Sequence, residues 1–161
     1  MRTVHWLFLV SVALFVSGIG FIIASARTAP GTAAPEAPAT TPVASLAQIM
    51  NGIVQPNVDV VYGAVGTKIS AAGVEEWAPR NDEEWARVGN SAAALVESGN
   101  LLLIGDRAID RGDWVTMTRA YMEAAQKAIA AVDARDTDAI LDAGSFINDT
   151  CDMCHERYWR Q

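Results

Sequence analysis

Cysteine and histidine are scarce in this chain, with two of each among 161 residues. Both cysteines, Cys151 and Cys154, sit near the C-terminus. Two cysteines cannot build a disulfide-dense scaffold, nor complete a cysteine-rich zinc site alone. Basic residues are also few: 12 Lys and Arg stand against 19 Asp and Glu, for a formal net charge of -7. That balance argues against a sequence-independent grip on DNA or RNA, which needs a basic surface. Aromatic residues make up 7%, and no convincing run of alternating β-branched residues occurs, so the composition leans away from β structure. There is no glycine-rich phosphate loop, no internal repeat, and no set of nucleophile, base and orienting side chain, so the chain is not read as an enzyme. What it has in quantity is apolar residues, at 51%, which excludes a disordered chain.

The chain divides into three zones. Residues 1–27 contain an apolar run, Val4 to Ala26, without Asp, Glu, Lys or Arg, flanked by Arg2 and Arg27. At about 1.5 Å per residue such a run can span a bilayer core of about 30 Å. Its length favours an uncleaved transmembrane anchor, whereas Ala24-Ser25-Ala26 resembles the cleavage site of a secretory signal. Both readings export the remainder of the chain, with Arg2 left on the cytoplasmic side. Residues 28–43 carry Pro30, Pro35, Pro38 and Pro42 and read as an extended linker, which suits a tether.

Residues 44–161 hold four stretches with helical periodicity. The first runs from about Ser45 to Gly66, with Leu46, Met50, Ile53, Val54, Val58, Val61 and Val65 on one stripe and Ser45 as N-cap. Pro56 should kink it, or end one helix and start another. The second, from about Asn81 to Ile104, is capped by Asn81 or Asp82 and buries Trp85, Val88, Ala92 and Leu95. The third, from about Asp113 to Asp133, places Trp114, Met117, Tyr121, Ala125 and Ala128 on one face, with Asp113 as its cap. The fourth, from about Thr137 to Trp159, carries Ile140, Leu141, Gly144, Ile147, Cys151, Cys154 and Tyr158. Only the connection from Thr67 to Arg80 is long. Short connections make successive helices antiparallel neighbours, so the expected fold is all-α, an antiparallel four-helix bundle behind an N-terminal transmembrane or signal segment.

The chemistry lies in Cys151-Asp152-Met153-Cys154-His155, the C-x-x-C-H pattern of covalent haem attachment. On a helix, steps of three and four residues turn about 300° and 400°, so Cys151, Cys154 and His155 share one face. Each thiol can form a thioether with a haem vinyl group, and His155 can take the iron as proximal ligand. A thioredoxin-like motif would sit near a βαβ pattern, which is absent. Zinc would need further ligands, and His5 lies in the apolar run. A disulfide between the two cysteines is the plainer alternative in an oxidising compartment.

A helical bundle of this size with C-x-x-C-H on its last helix resembles the cytochrome c prime and cytochrome c556 group, and the likeness covers about Ser45 to Gln161. The stretch Asn100-Leu101-Leu102-Leu103 and the ending His155-Glu156-Arg157-Tyr158-Trp159 are similar to a membrane-tethered branch of that group. The resemblance implies one covalent haem c, held by Cys151 and Cys154 with His155 on the iron. It also places a residue of the first helix over the distal face, a position taken here by Met50 within Leu46-Ala47-Gln48-Ile49-Met50-Asn51. Many relatives carry an arginine one turn earlier that pairs with a haem propionate; here that residue is Leu46.

Bis-histidine ligation within the domain is excluded, because His155 is its only histidine. Read by itself, Met50 fits core packing, which methionine does well, as readily as ligation; the family position points to ligation. Adjacent, antiparallel first and last helices would bring it level with His155. Trp85 and Trp114 read as packing residues, and Trp77 as a cover for the side of the haem. Asp133, Asp136, Asp138 and Asp142 read as a solvated face, and Arg157 and Arg160 as partners for propionates. The expected function is electron transfer through six-coordinate His/Met iron on the periplasmic side of a bacterial inner membrane, tethered there or soluble after signal cleavage. Alternatives are a five-coordinate protein binding NO or CO, and an accessory haem subunit of a membrane complex. Expected partners are redox proteins and the membrane, with no nucleic acid; a homodimer is one assembly open to the chain.

Overall fold

The computed structural model describes residues 2–28 and 40–159. The chain separates into two units, Met1–Ala39 and Thr40–Gln161. Linker residues 29–39, with Pro30, Pro35 and Pro38, lie outside the described residues, as does Arg160.

The first unit is one helix, α1 (Arg2–Thr28). Its 27 residues give a length of about 40 Å. Leu14, Phe15 and Val16 are consecutive, hence on three faces, and are 69%, 72% and 63% exposed. Its apolar surface therefore runs around the helix rather than along one stripe. Among the described residues no helix is long and apolar enough to cross a membrane. Within α1 the side chains of Arg2, Thr3, Phe8, Gly18 and residues 20–28 are outside the described set.

The second unit is all-helical apart from one hairpin. Its first helical stretch combines α2 (Leu46–Ile49), a π-helical turn (Met50–Val54) and α3 (Gln55–Tyr62). Ser45 starts it with a capping box: its hydroxyl accepts from the Gln48 N–H, and the Gln48 side chain accepts from the Ser45 N–H. Pro56 explains the π turn. A proline ring in a regular α-helix would collide with the carbonyl four residues back, that of Gly52. The backbone widens instead, and the Gln55 N–H reaches five residues back to the Met50 carbonyl. The chain neither stops nor breaks at Pro56.

The connection expected as a loop contains an antiparallel hairpin, β1 (Gly66–Ser70) and β2 (Gly73–Trp77). Gly73, at φ +127, supplies a turn conformation that other residues resist. The pairing brings Trp77 opposite Gly66, where a Cβ would come within 2.2 Å of the indole. Trp77 Nε1 donates to the Gly63 carbonyl at 3.1 Å. The hairpin is thus fastened at its base and solvated along most of its length.

Helices α4 (Asp82–Leu102), α5 (Asp113–Ala134) and α6 (Thr137–Tyr158) complete the unit. Asn81 caps α4 and Asp136 caps α6, each accepting from a backbone N–H three residues on. The cap of α5 is not Asp113: Asp110 Oδ1 accepts from Gly112 and Trp114 N–H groups at 2.8 and 3.1 Å. The stretches pack in chain order, α3 on α4, α4 on α5 and α5 on α6, and α6 touches α3 lightly. They enclose one core that includes Ile49, Val58, Trp85, Leu95, Trp114, Ala128, Ile140 and Ile147. Gly99 lets α4 and α5 approach closely, since a Cβ there would strike the Met122 side chain. The end of the linker belongs to this unit, for Pro42 packs at Gly105 and Arg107 donates to the Ala44 carbonyl through Nε at 3.0 Å.

Candidate functional site

The last two turns of α6 present Cys151, Cys154 and His155 toward a cavity of about 750 Å³. Met50, on the π turn, lines the same cavity. The four residues singled out in the sequence therefore meet at one place. Leu46, Val54 and Val58 supply apolar wall from the first helical stretch; Trp114, Met117 and Tyr121 do so from α5. The volume falls within the usual range for small-molecule and cofactor sites, about 300–1,000 Å³.

The polar groups of the wall are mostly committed elsewhere. The Ser98 hydroxyl donates to the Leu95 carbonyl at 2.7 Å, which leaves the Tyr121 hydroxyl to donate to Ser98 at 2.9 Å. Thr150 donates to the Ile147 carbonyl at 2.8 Å. Trp114 Nε1 donates to the Leu102 carbonyl at 3.0 Å. Committed donors leave this part of the wall weakly polar, while Asn51, Gln55 and Asn148 stand exposed at the cavity's rim.

Cys151 and Cys154 are free, half-buried thiols. Burial first, then the proximity of Cys154 and Asp152, pushes the Cys151 thiol up to about 11. Burial alone pushes Cys154 up. Reactive dithiols of redox enzymes show the opposite shift, toward thiolate. Burial first, then Cys151, Asp152 and Asp149, also pushes Tyr62, at the cavity edge, up to about 12. His155 is half-buried, and its ring packs against the Trp159 indole with 4.8 Å between centroids. Among the described residues no group of three His, Cys, Asp or Glu side chains converges as a metal site.

Other sequence expectations resolve differently. Trp77 does not line the cavity; it closes the hairpin instead. Trp85 is a core residue away from the cavity wall, whereas Trp114 is both buried and part of that wall. Arg157 pairs with Asp113 at 2.6 Å and donates through Nε to the Tyr158 hydroxyl at 3.3 Å. Asp133, Asp136, Asp138 and Asp142 are all exposed. The sequence set Tyr158 beside Cys151 and Cys154 on the fourth helix but gave it no role; it lines the cavity and donates its hydroxyl proton to Asp110. The available signal was its spacing, three residues beyond His155 on the same helix face.

The chain matches no protein-family model, no curated protein and no solved structure.

Proposed function

We propose that this chain is a c-type cytochrome with one covalent haem in an antiparallel four-helix bundle, similar to the cytochrome c prime and cytochrome c556 group, and that it transfers electrons. One observation carries the reading: two neutral thiols, an imidazole and a thioether line a single apolar cavity of about 750 Å³. The donor set and the largely apolar wall suit haem c. Cys151 and Cys154 would hold it through thioethers, His155 would take the proximal side of the iron, and Met50 the distal side. A bound haem supplies a one-electron iron couple, and methionine ligation raises its potential. Leu46, Val54 and Val58 keep water from the distal side, which favours saturated iron over water-ligated iron.

The same proposal places α1 in the bacterial inner membrane, with the helical unit on the periplasmic side. Support comes from the large apolar side chains exposed on several faces of α1, which an aqueous setting would leave uncovered. Full-length chain made in a host with periplasmic haem attachment should carry haem that survives denaturing electrophoresis. Cys151→Ala with Cys154→Ala should abolish it, and membrane fractions should retain the intact chain. Wild-type chain without covalent haem would overturn the reading. A soluble mature chain beginning at Arg27 would replace the anchor by a cleaved signal.

A further inference from the structure

Among the described residues no hydrogen bond is made to the His155 ring, whose neighbour is the Trp159 indole. Its direction therefore depends on how the last turn of α6 is held. That turn is fastened at Tyr158. The Tyr158 hydroxyl donates to Oδ2 of Asp110, while Oδ1 of the same carboxylate accepts from the Gly112 and Trp114 N–H groups. One side chain thus joins the end of α6 to the start of α5. The Trp114 indole meets the Tyr158 ring edge-on, with centroids 5.1 Å apart, and its Nε1 bond to Leu102 brings in the end of α4. Arg157 adds its bond to the Tyr158 hydroxyl and its pairing with Asp113.

Resting on the haem reading above, we infer that Asp110 is a positioning residue for His155, acting through Tyr158 to fix the direction in which the imidazole is presented to the cavity. The arrangement differs from an ordinary surface ion pair, which contributes little. Tyr158 is buried, at 9% exposure, so loss of the carboxylate leaves its O–H without an acceptor while its oxygen still accepts from Arg157 Nε. It also lines the cavity beside His155, so any resettling of its ring is felt where the imidazole stands. Most haem-ligating histidines are oriented by a hydrogen bond to their second nitrogen. Here the orienting bond falls one turn later on the same helix.

The test uses full-length chain with covalent haem and the variants Tyr158→Phe, Asp110→Asn and the double substitution. Phenylalanine keeps the ring against Trp114 and removes the phenol–carboxylate bond; asparagine keeps an oxygen for the Gly112 and Trp114 N–H groups and sets an amide donor, in place of the carboxylate acceptor, against the phenol. Ferric EPR g values, which report axial-ligand orientation, should move in both single variants. The ferric/ferrous ratio at fixed potential should change threefold to tenfold, the latter equal to about 59 mV for one electron. The double variant should shift no further than Tyr158→Phe alone, because both substitutions act on one shared bond. Unchanged g values and potentials in both single variants, with only a lower melting temperature, would overturn the inference and leave Asp110 a stability residue. A wild-type chain without covalent haem overturns the haem reading, and this inference with it.

Discussion

Ile49 and Val54 stand five residues apart and both face the core, at 1% and 8% exposure. A regular α-helix would set them about 140° apart around its axis. The π turn removes that mismatch, since its wider ring aligns residues five apart. The residue at the start of this turn is Met50, so the distortion that aligns two core side chains also sets where the thioether points.

Pro56→Ala tests that link. Alanine restores a donor that can reach the Gly52 carbonyl, and the π turn can then tighten into an α-helix. Residues N-terminal to it would rotate by about 100°, one residue's phase. Asn51 would come to occupy the face that Met50 takes in the native chain. The expected result is loss of the long-wavelength sulfur-to-iron charge-transfer band of the oxidised haem protein. If the band persists, the packing of Ile49 and Val54 holds the π turn without help from the proline.

The same turn shows what the sequence could reveal. The pattern from Leu46 to Val65 announces a helix, and four of its valines are indeed buried. Ile49 also fits that pattern, three residues after Leu46 and four before Ile53, but the stripe drawn from the sequence left it out. Ser45 and Asn81 were legible as caps, since capping is a local bond, whereas Asp136, which caps α6, read only as part of a solvated acidic face. Asp110 as the cap of α5 was not, since its carboxylate lies before Gly112 and acts across a bend. The C-x-x-C-H spacing places Cys151, Cys154 and His155 on one face from helix geometry alone. That Trp114, Met117, Tyr121 and Tyr158 stand around them depends on packing between helices, which no local pattern encodes. The hairpin was missed because its strands are five residues long and lack a buried face.

Trp77→Ala should leave the haem spectrum unchanged, because Trp77 is absent from the cavity wall. It removes the bond to the Gly63 carbonyl and the stacking on Gly66. The expected cost is about 1–2 kcal/mol, seen as a lower melting temperature. A changed spectrum would mean that the hairpin base bears on the site.

Asp110 should make the helical unit acid-sensitive. The Tyr158 hydroxyl first, then the Trp114 N–H, hold its carboxyl below the ordinary value of 3.8. A depressed value in the folded state means that folding favours the carboxylate. The associated stability is present above pH 3.8 and is lost as pH falls through the folded-state value. Melting temperatures of the native chain and Asp110→Asn should differ at neutral pH and converge in acid. A separation that stays constant down the acid range would show that these bonds carry no proton-linked stability.

Met50 and Met117 both line the cavity, so two thioethers compete for the role of distal ligand. Helix α6 packs unequally on the elements that carry them. It lies along α5, which carries Met117, and touches the first helical stretch only lightly. On the proposed reading Met50 of the π turn would be the distal ligand and Met117 a residue of the wall. Met50→Ala should give high-spin iron that binds CO readily. Met117→Ala should keep the low-spin spectrum while losing about 2 kcal/mol of stability to the space left behind. Absorption spectra with and without CO, alongside thermal melts, distinguish the two. If Met50→Ala keeps the native spin state and Met117→Ala does not, the distal ligand comes from α5. If neither changes it, the iron is five-coordinate, both methionines are packing residues, and reversible binding of NO or CO becomes the better account of the cavity.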